Sequence, residues 1–256
     1  MRNHVQRVAH RGGSQLAPEN TLAAFRNALT FPIDAIELDV HMSRDGHLVV
    51  FHDYTVEKRT NGKGNLLDLD FAYLRSLNAA AHFPGGWPEP QQIPTLREVL
   101  DVAKGHAQVY IEIKPSKRNE VYGRYPNIVE AVVDEVRAVG ALGQVLVMSF
   151  DWMVLPHVKS LEPTVQTGAL VSDDVLDPQE DHALDTLIEQ VTTLGCNWIN
   201  MDRDLFTNDM PAALHERGFK LGIWTVNNQA GLRRFATAGV DSLTSDSPDL
   251  FSRIAI

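Results

Sequence analysis

The sequence predicts an α/β fold, a closed (β/α)8 TIM barrel, and three observations carry that prediction. Short, mostly apolar runs bounded by Gly, Pro, Asp or Ser read as parallel strands buried on both faces. One amphipathic stretch follows each of them, so the chain alternates strand and helix almost from end to end. The length of 256 residues is close to the roughly 250 that eight such units occupy when they close into a barrel.

The strands are expected over 6–10, 35–40, 108–113, 145–148, 165–170, 198–200, 220–225 and 241–244. Helices are expected between them. The stretch 21–29 places Leu22, Phe25, Ala28 and Leu29 on one face, 95–103 follows Pro94, and 127–139 carries Ile128, Val132, Val136 and Val139. Further helical stretches cover 152–159, 183–194, 209–217 and 229–238, with a terminal turn after Pro248. Gly218 and Gly239 fall where left-handed C-terminal caps are wanted. Leu48 to Phe51 reads as a hairpin partner of the second strand, turned back at Asp45-Gly46. The organisation is therefore one barrel domain over 1–256 with an insertion at about 54–93, in which 66–77 supplies a helix of its own.

Composition narrows the partners. With 23 Lys and Arg against 33 Asp and Glu the net charge is −10, which disfavours nucleic acid or an anionic membrane surface. Hydrophobic residues at 44% exclude wholesale disorder. The lone Cys196 excludes an internal disulfide framework and a multi-cysteine zinc site. No run approaches the about 18 apolar residues of a membrane span, and the opening residues Met1 to Val8 lack the apolar core of a secretion signal. A cytoplasmic protein is the expectation.

In such a barrel the chemistry gathers at the C-terminal ends of the strands, and the unusual polar residues fall there. His10-Arg11 ends the first strand. Glu37 and Asp39 share one side of the second, with Ile36, Leu38 and Val40 on the other. Glu112 and Lys114 repeat the spacing on the third, and His52-Asp53 ends the hairpin. Crowded carboxylates in apolar strands repel one another unless an ion compensates them. Oxygen ligands without thiols fit Mg²⁺, Ca²⁺ or Mn²⁺ better than zinc. Such a cation, with Arg11 and Lys114, would make an acidic protein locally attractive to a phosphoryl group. Two histidines could then exchange protons with the attacking and leaving oxygens.

The ordered blocks His10-Arg11-Gly12, Pro18-Glu19-Asn20-Thr21, Glu37-Leu38-Asp39, Asp45-Gly46 to His52-Asp53, Ile93-Pro94-Thr95-Leu96 and Glu112-Ile113-Lys114 resemble the glycerophosphodiester phosphodiesterases. The resemblance continues through Trp224-Thr225-Val226-Asn227 and Gly239-Val240-Asp241 to Asp246 and Pro248. It implies hydrolysis of small-molecule glycerophosphodiesters to glycerol 3-phosphate and an alcohol, with one divalent metal ion, Mg²⁺ or Ca²⁺, as cofactor. By matching position, Glu37, Asp39 and Glu112 would bind the metal, His10 and His52 would be the acid/base pair, and Arg11 and Lys114 would contact phosphate. Trp224 would either pack against the glycerol or close the rim. Glu19 and Asn20 would arrange the first loop, with Asn20 or Thr21 capping the helix. Intramolecular attack by a glycerol hydroxyl would give a cyclic phosphate that water opens.

Two other readings stand beside it. A lysophospholipase D-like enzyme would need an acyl groove, for which Leu66, Leu67, Leu69, Phe71, Phe83 and Trp87 are available, although they equally suit a satellite core. A non-catalytic phosphate-ligand-binding barrel would have little use for a histidine pair. Leu250, Phe251, Ile254 and Ile256 either cover the barrel or meet a partner chain.

Overall fold

The computed structural model describes residues 4–177 and 180–254. In chain order the strands are β1 (Gln6–Ala9), β2 (Ala35–Met42), β3 (Leu48–Val50), β4 (Gln108–Ile113), β5 (Ser116–Arg118), β6 (Val121–Gly123), β7 (Val145–Ser149), β8 (Gln166–Val171), β9 (Trp198–Asp202), β10 (Lys220–Trp224) and β11 (Ser242–Ser245). Eight of them pair in parallel in the order β1-β2-β4-β7-β8-β9-β10-β11, and β11 returns to β1 to close the barrel. The helices are α1 (Leu22–Ala28), α2 (Phe71–Ser76), α3 (Leu96–Ala103), α4 (Ile128–Val139), α5 (Val154–Leu161), α6 (Ala183–Thr193), α7 (Met210–Glu216) and α8 (Gln229–Ala238). Among the described residues no helix is long and apolar enough to cross a membrane.

Strand alternation splits the core in two. Ile36, Leu38, Val40, Ile111, Ile113, Ile199 and Met201 face outward and pack under the helices. Val8, Ala35, Tyr110, Leu146, Met148, Leu170 and Trp198 face inward and fill the barrel. Parallel strands covered on both faces must be apolar on both, and burying each large aliphatic side chain contributes roughly 1.5–3 kcal/mol. Side chains set the helix starts. Thr21 Oγ1 accepts from the Ala24 amide at 3.2 Å, and Thr95 with Glu98 forms a reciprocal capping box. Gly218 and Gly239 take the left-handed conformation expected of them, at φ 81° and 96°.

The hairpin forms as expected: β3 runs antiparallel to β2, with Val40 opposite Val50 and Met42 opposite Leu48. The helix expected over 66–77 is broken into a 3-10 turn at Leu66–Asp68 and α2, with Leu69 extended at φ −106°, ψ 135° between them. The break has a packing reason. Leu66 is buried in a satellite core with Val49, Phe51, Val56, Leu74 and Ile93, against which Leu69 and Phe71 pack, while Leu67 packs on the main core. Phe83 and Trp87 meet edge to face at 5.4 Å. At the other end of the chain, Phe251 is buried and Leu250 and Ile254 pack on the main core. Ile256 lies outside the described residues, as do Met1, Arg2 and Asn3.

His41, in the apolar run of β2, is fully buried. Its Nε2 lies 3.0 Å from the carbonyl oxygen of His52. A carbonyl only accepts, so Nε2 carries the hydrogen and Nδ1 accepts from the Tyr125 hydroxyl at 2.9 Å. Burial holds His41 down at about 4, from an ordinary 6.5. Between those values the unfolded chain binds a proton that the folded chain refuses, so His41's contribution is complete above pH 6.5 and is lost as the pH falls toward 4. Wild type should therefore lose on the order of 3 kcal/mol more than His41→Gln over that window. Urea midpoints taken across it should show the difference, and parallel pH slopes would contradict it.

Candidate active site

The site begins with the turn that ends β1. Arg11 and Gly12 both have left-handed backbone, at φ 52° and 79°, and a Cβ on Gly12 would lie 2.8 Å from the Cβ of Ala24 in α1. Glycine is therefore required for this close approach. The turn aims the Arg11 amide at Glu37 Oε2, 2.9 Å away. It also brings the Arg11 guanidinium to 3.3 Å from Asp39 and 3.2 Å from Glu19.

Glu37, Asp39 and Glu112 each offer a carboxylate oxygen, and these lie within 4.8 Å of one another at buried positions. Register produces this, because Asp39 on β2 sits opposite Glu112 on β4. Asp39 is steadied by Asn20, whose Nδ2 donates to it at 2.8 Å. Lys114 Nζ stands 2.9 Å from Asp39 Oδ1 and 2.6 Å from Glu112 Oε1. Burial works to raise Asp39, but Lys114 and Arg11 override it and hold this carboxyl well below the usual range. Glu37 goes the other way: burial and the charges of Asp39 and Glu112 push it well up. Burial, opposed by Lys114 and reinforced by Asp39, pushes Glu112 up to about 7.

This donor set fits a hard divalent cation. It consists of oxygens alone, and Asp39 Oδ1 and Glu112 Oε1 are buried with no hydrogen bond of good geometry. Protons held on Glu37 and Glu112 are what a cation would displace.

The two histidines are each anchored through Nδ1. His10 Nδ1 is 2.6 Å from Asp246, which also accepts from Ser14 Oγ and Asn227 Nδ2, both at 2.6 Å. Burial alone would raise Asp246, but its hydrogen bond to His10 and the charge there lower it. His52 Nδ1 is 2.9 Å from Asp53. Burial lowers His52, offset in part by that bond. With Nδ1 engaged, Nε2 is left for chemistry on both rings, and His10 Nε2 is 3.9 Å from Glu37.

His10, Arg11, Glu37, His52, Glu112, Lys114 and Trp224 all line one pocket of about 240 Å³, with Asp39 buried behind it. Every residue selected from sequence is thus brought to one place. Trp224 lines the pocket, donates from Nε1 to the Asn200 carbonyl at 3.0 Å, and meets Phe150 edge to face. A wider groove of about 890 Å³ adjoins, sharing His52, Glu112, Lys114 and Phe150 and running past Tyr54, Tyr122 and Asp151. Sequence reasoning assigned no role to Asp246, Asp53 or His41, and passed over Asn200. Asp53 could have been suspected as His52's neighbour, and Asp246 from the closing part of the family resemblance; nothing local marks Asn200.

The glycerophosphoryl diester phosphodiesterase family model matches residues 10–250. A glycerophosphodiester phosphodiesterase of Caldanaerobacter subterraneus is 33% identical over 94% of this chain and 94% of that protein. One from Bacillus subtilis is 31% identical over 98% of this chain and 87% of its own length. Among solved structures, a phosphodiesterase of Oleispira antarctica in complex with the product sn-glycerol-3-phosphate superposes with TM-score 0.80. It is 26% identical and covers 97% of this chain and 95% of its own. A glycerophosphodiester phosphodiesterase from Agrobacterium tumefaciens gives TM-score 0.79 at 27% identity, covering 98% of this chain and all of its own.

Because protons on Glu37 and Glu112 compete with a cation, Mg²⁺ or Ca²⁺ should bind more weakly as the pH falls from 8 to 6, with protons released on binding. Calorimetry in buffers of different ionisation enthalpy measures this. Glu37→Gln and Glu112→Gln should each weaken binding by about tenfold or more, and an unchanged affinity would remove that residue from the ligand set.

Proposed function

The chain belongs to the glycerophosphoryl diester phosphodiesterase family, and on that premise we propose that it hydrolyses glycerophosphodiesters to glycerol 3-phosphate and an alcohol, using one divalent cation and two histidines. The observation that carries this reading is a buried trio of carboxylates flanked, in one pocket, by two histidines that each spend Nδ1 on a carboxylate. A binding module has no need of two such oriented proton-transfer groups. The product-bound relative from Oleispira antarctica, similar over nearly the whole chain, supports the same chemistry.

Glu37, Asp39 and Glu112 would hold the cation. When bound, a divalent ion stabilises negative charge developing on the phosphoryl oxygens. Arg11 and Lys114, each with N–H groups beyond those spent on carboxylates, offer donors to the phosphate from the same wall. The glycerophosphate occupies the 240 Å³ pocket, and the leaving alcohol extends into the groove. His10 borders only the pocket, so its Nε2 accepts the proton of the attacking glycerol hydroxyl, and the bond to phosphorus forms from that oxygen. His52 borders pocket and groove alike, and its Nε2 protonates the alcohol oxygen as its bond to phosphorus breaks. The two exchange roles when water opens the cyclic phosphate, by microscopic reversibility. Asp246 and Asp53 keep each ring in the tautomer and orientation this requires.

The first test is glycerol 3-phosphate release from glycerophosphocholine and glycerophosphoethanolamine, in chelator and with Mg²⁺, Ca²⁺ or Mn²⁺ restored. Release that depends on the added metal is expected; none with any metal, from folded protein, would overturn the reading. His10→Ala and His52→Ala should each lower kcat by about 10²-fold or more. Asp246→Asn should also lower kcat while leaving metal affinity in place, because it disturbs the ring that His10 presents. A normal kcat in that variant would make Asp246 structural only.

A further inference from the structure

We propose that Arg59 is a positioning residue for His52: one edge of its guanidinium fixes Asp53, the carboxylate that orients the His52 ring, against the loop that holds Arg11. This rests on the activity proposed above, in which His52 protonates the leaving alcohol.

Arg59 belongs to the insertion and lines neither the pocket nor the groove. Its two carboxylate partners, however, each serve a residue that does. Nε is 3.5 Å from Asp53 Oδ2, and Nη2 is 3.1 Å from Glu19 Oε2. The other oxygen of each carboxylate is engaged inside the site. Asp53 Oδ1 is 2.9 Å from His52 Nδ1, and Glu19 Oε1 accepts from Arg11 Nη1 at 3.2 Å. Arg11 in turn stands 3.3 Å from Asp39. Charged and ionisable groups therefore alternate without a break from His52 to Asp39, through Asp53, Arg59, Glu19 and Arg11.

An aspartate held by one oxygen can still turn about its last torsion, which is soft, and carry the imidazole with it. Asp53 is held on both sides. Its Oδ2 and Arg59 Nε are buried, and neither makes a hydrogen bond elsewhere, so nothing competes with this pairing. Nε and Nη2 lie on one edge of a planar fork, and a single ammonium cannot copy its two fixed directions. Burial would raise Asp53, yet its bond to His52, with the charges of His52, Lys58 and Arg59, holds it low. An ionised Asp53 only accepts, so His52 Nδ1 carries the hydrogen and Nε2 faces the chemistry. Mooring the insertion does not require Arg59, because the satellite core does that with Val56, Leu66 and Leu74 packed on Val49 and Phe51. That core instead fixes where Arg59 starts. The buried Val56 carbonyl accepts from the amide and hydroxyl of Thr60, at 2.9 and 2.8 Å, in the turn that carries Arg59.

The leaving group separates the proton donor from the rest of the site. Glycerophosphocholine expels an alkoxide that needs a proton, whereas its 4-nitrophenyl counterpart expels a phenolate that needs none. On metal-loaded enzyme, kcat/KM read from release of choline or of 4-nitrophenol reports only the steps through P–O cleavage, before water opens the cyclic phosphate. Arg59→Lys, which keeps the charge but not the fork, should lower it about 10- to 100-fold on glycerophosphocholine and no more than about threefold on the nitrophenyl ester. Arg59→Gln should follow the same pattern. Asp53→Asn should share that selectivity, and adding Arg59→Lys to it should lose little more, since both act through one ring. Equal losses on the two substrates, the mark of a merely structural role, would overturn the proposal. So would no loss on either, or losses that simply add in the double variant. His52→Ala checks the premise. If it does not itself discriminate between the substrates, the acid role of His52 falls and this inference with it, an outcome distinct from Arg59 variants that fail to follow His52.

Discussion

Like charges buried together are the constraint around which this molecule is arranged. Glu37, Asp39 and Glu112 stand in strands whose other residues are apolar, and three unscreened carboxylates there would cost far more than a domain's marginal stability permits. The protein answers with Lys114 and Arg11 against the cluster, the Arg11 amide on Glu37, and Asn20 on Asp39. What these do not neutralise shows in Glu37 and Glu112, which are pushed toward holding protons. The same excess of negative charge that makes the free cluster costly is what gives it affinity for a cation.

The barrel makes the concentration of charge compatible with a large core. Alternation along each strand sends Ile36, Leu38 and Val40 to the helices and Glu37 and Asp39 to the interior, so one segment serves packing and chemistry at once. Below the site, inward residues such as Tyr110, Leu146 and Trp198 close the barrel. His10 is held where β11 closes on β1, and an element outside the barrel holds His52. The β2–β3 hairpin carries the chain back so that the Phe51 amide bonds the Asp39 carbonyl at 3.0 Å, which sets His52 beside the carboxylates. His41 then clamps the His52 carbonyl from within β2. The satellite core in the insertion supports that return, and Leu66, Leu69 and Phe71 pack in it.

Much of this was legible in the chain because periodicity and residue type are local properties. A carboxylate pair two apart within an apolar strand declares both its direction and its need for compensation, and Glu37 and Asp39 behave accordingly. The helix expected over 66–77 did not form as one piece because its leucines serve two cores, a fact that exists only once both cores do. Asp246 escaped assignment for a similar reason: it lies 236 residues from His10, and only closure of β11 onto β1 makes them neighbours.

By itself, then, the sequence determined the barrel, the order of its elements and the chemical character of its mouth, since each follows from patterns spanning a few residues. Closure of the barrel set which carboxylate orients which histidine, which ring faces the groove, and that the amide of Asn200 on the far strand sits between two glycines. Those depend on register across non-neighbouring strands and on space left by missing side chains. No local pattern encodes either, because both are properties of the closed ring.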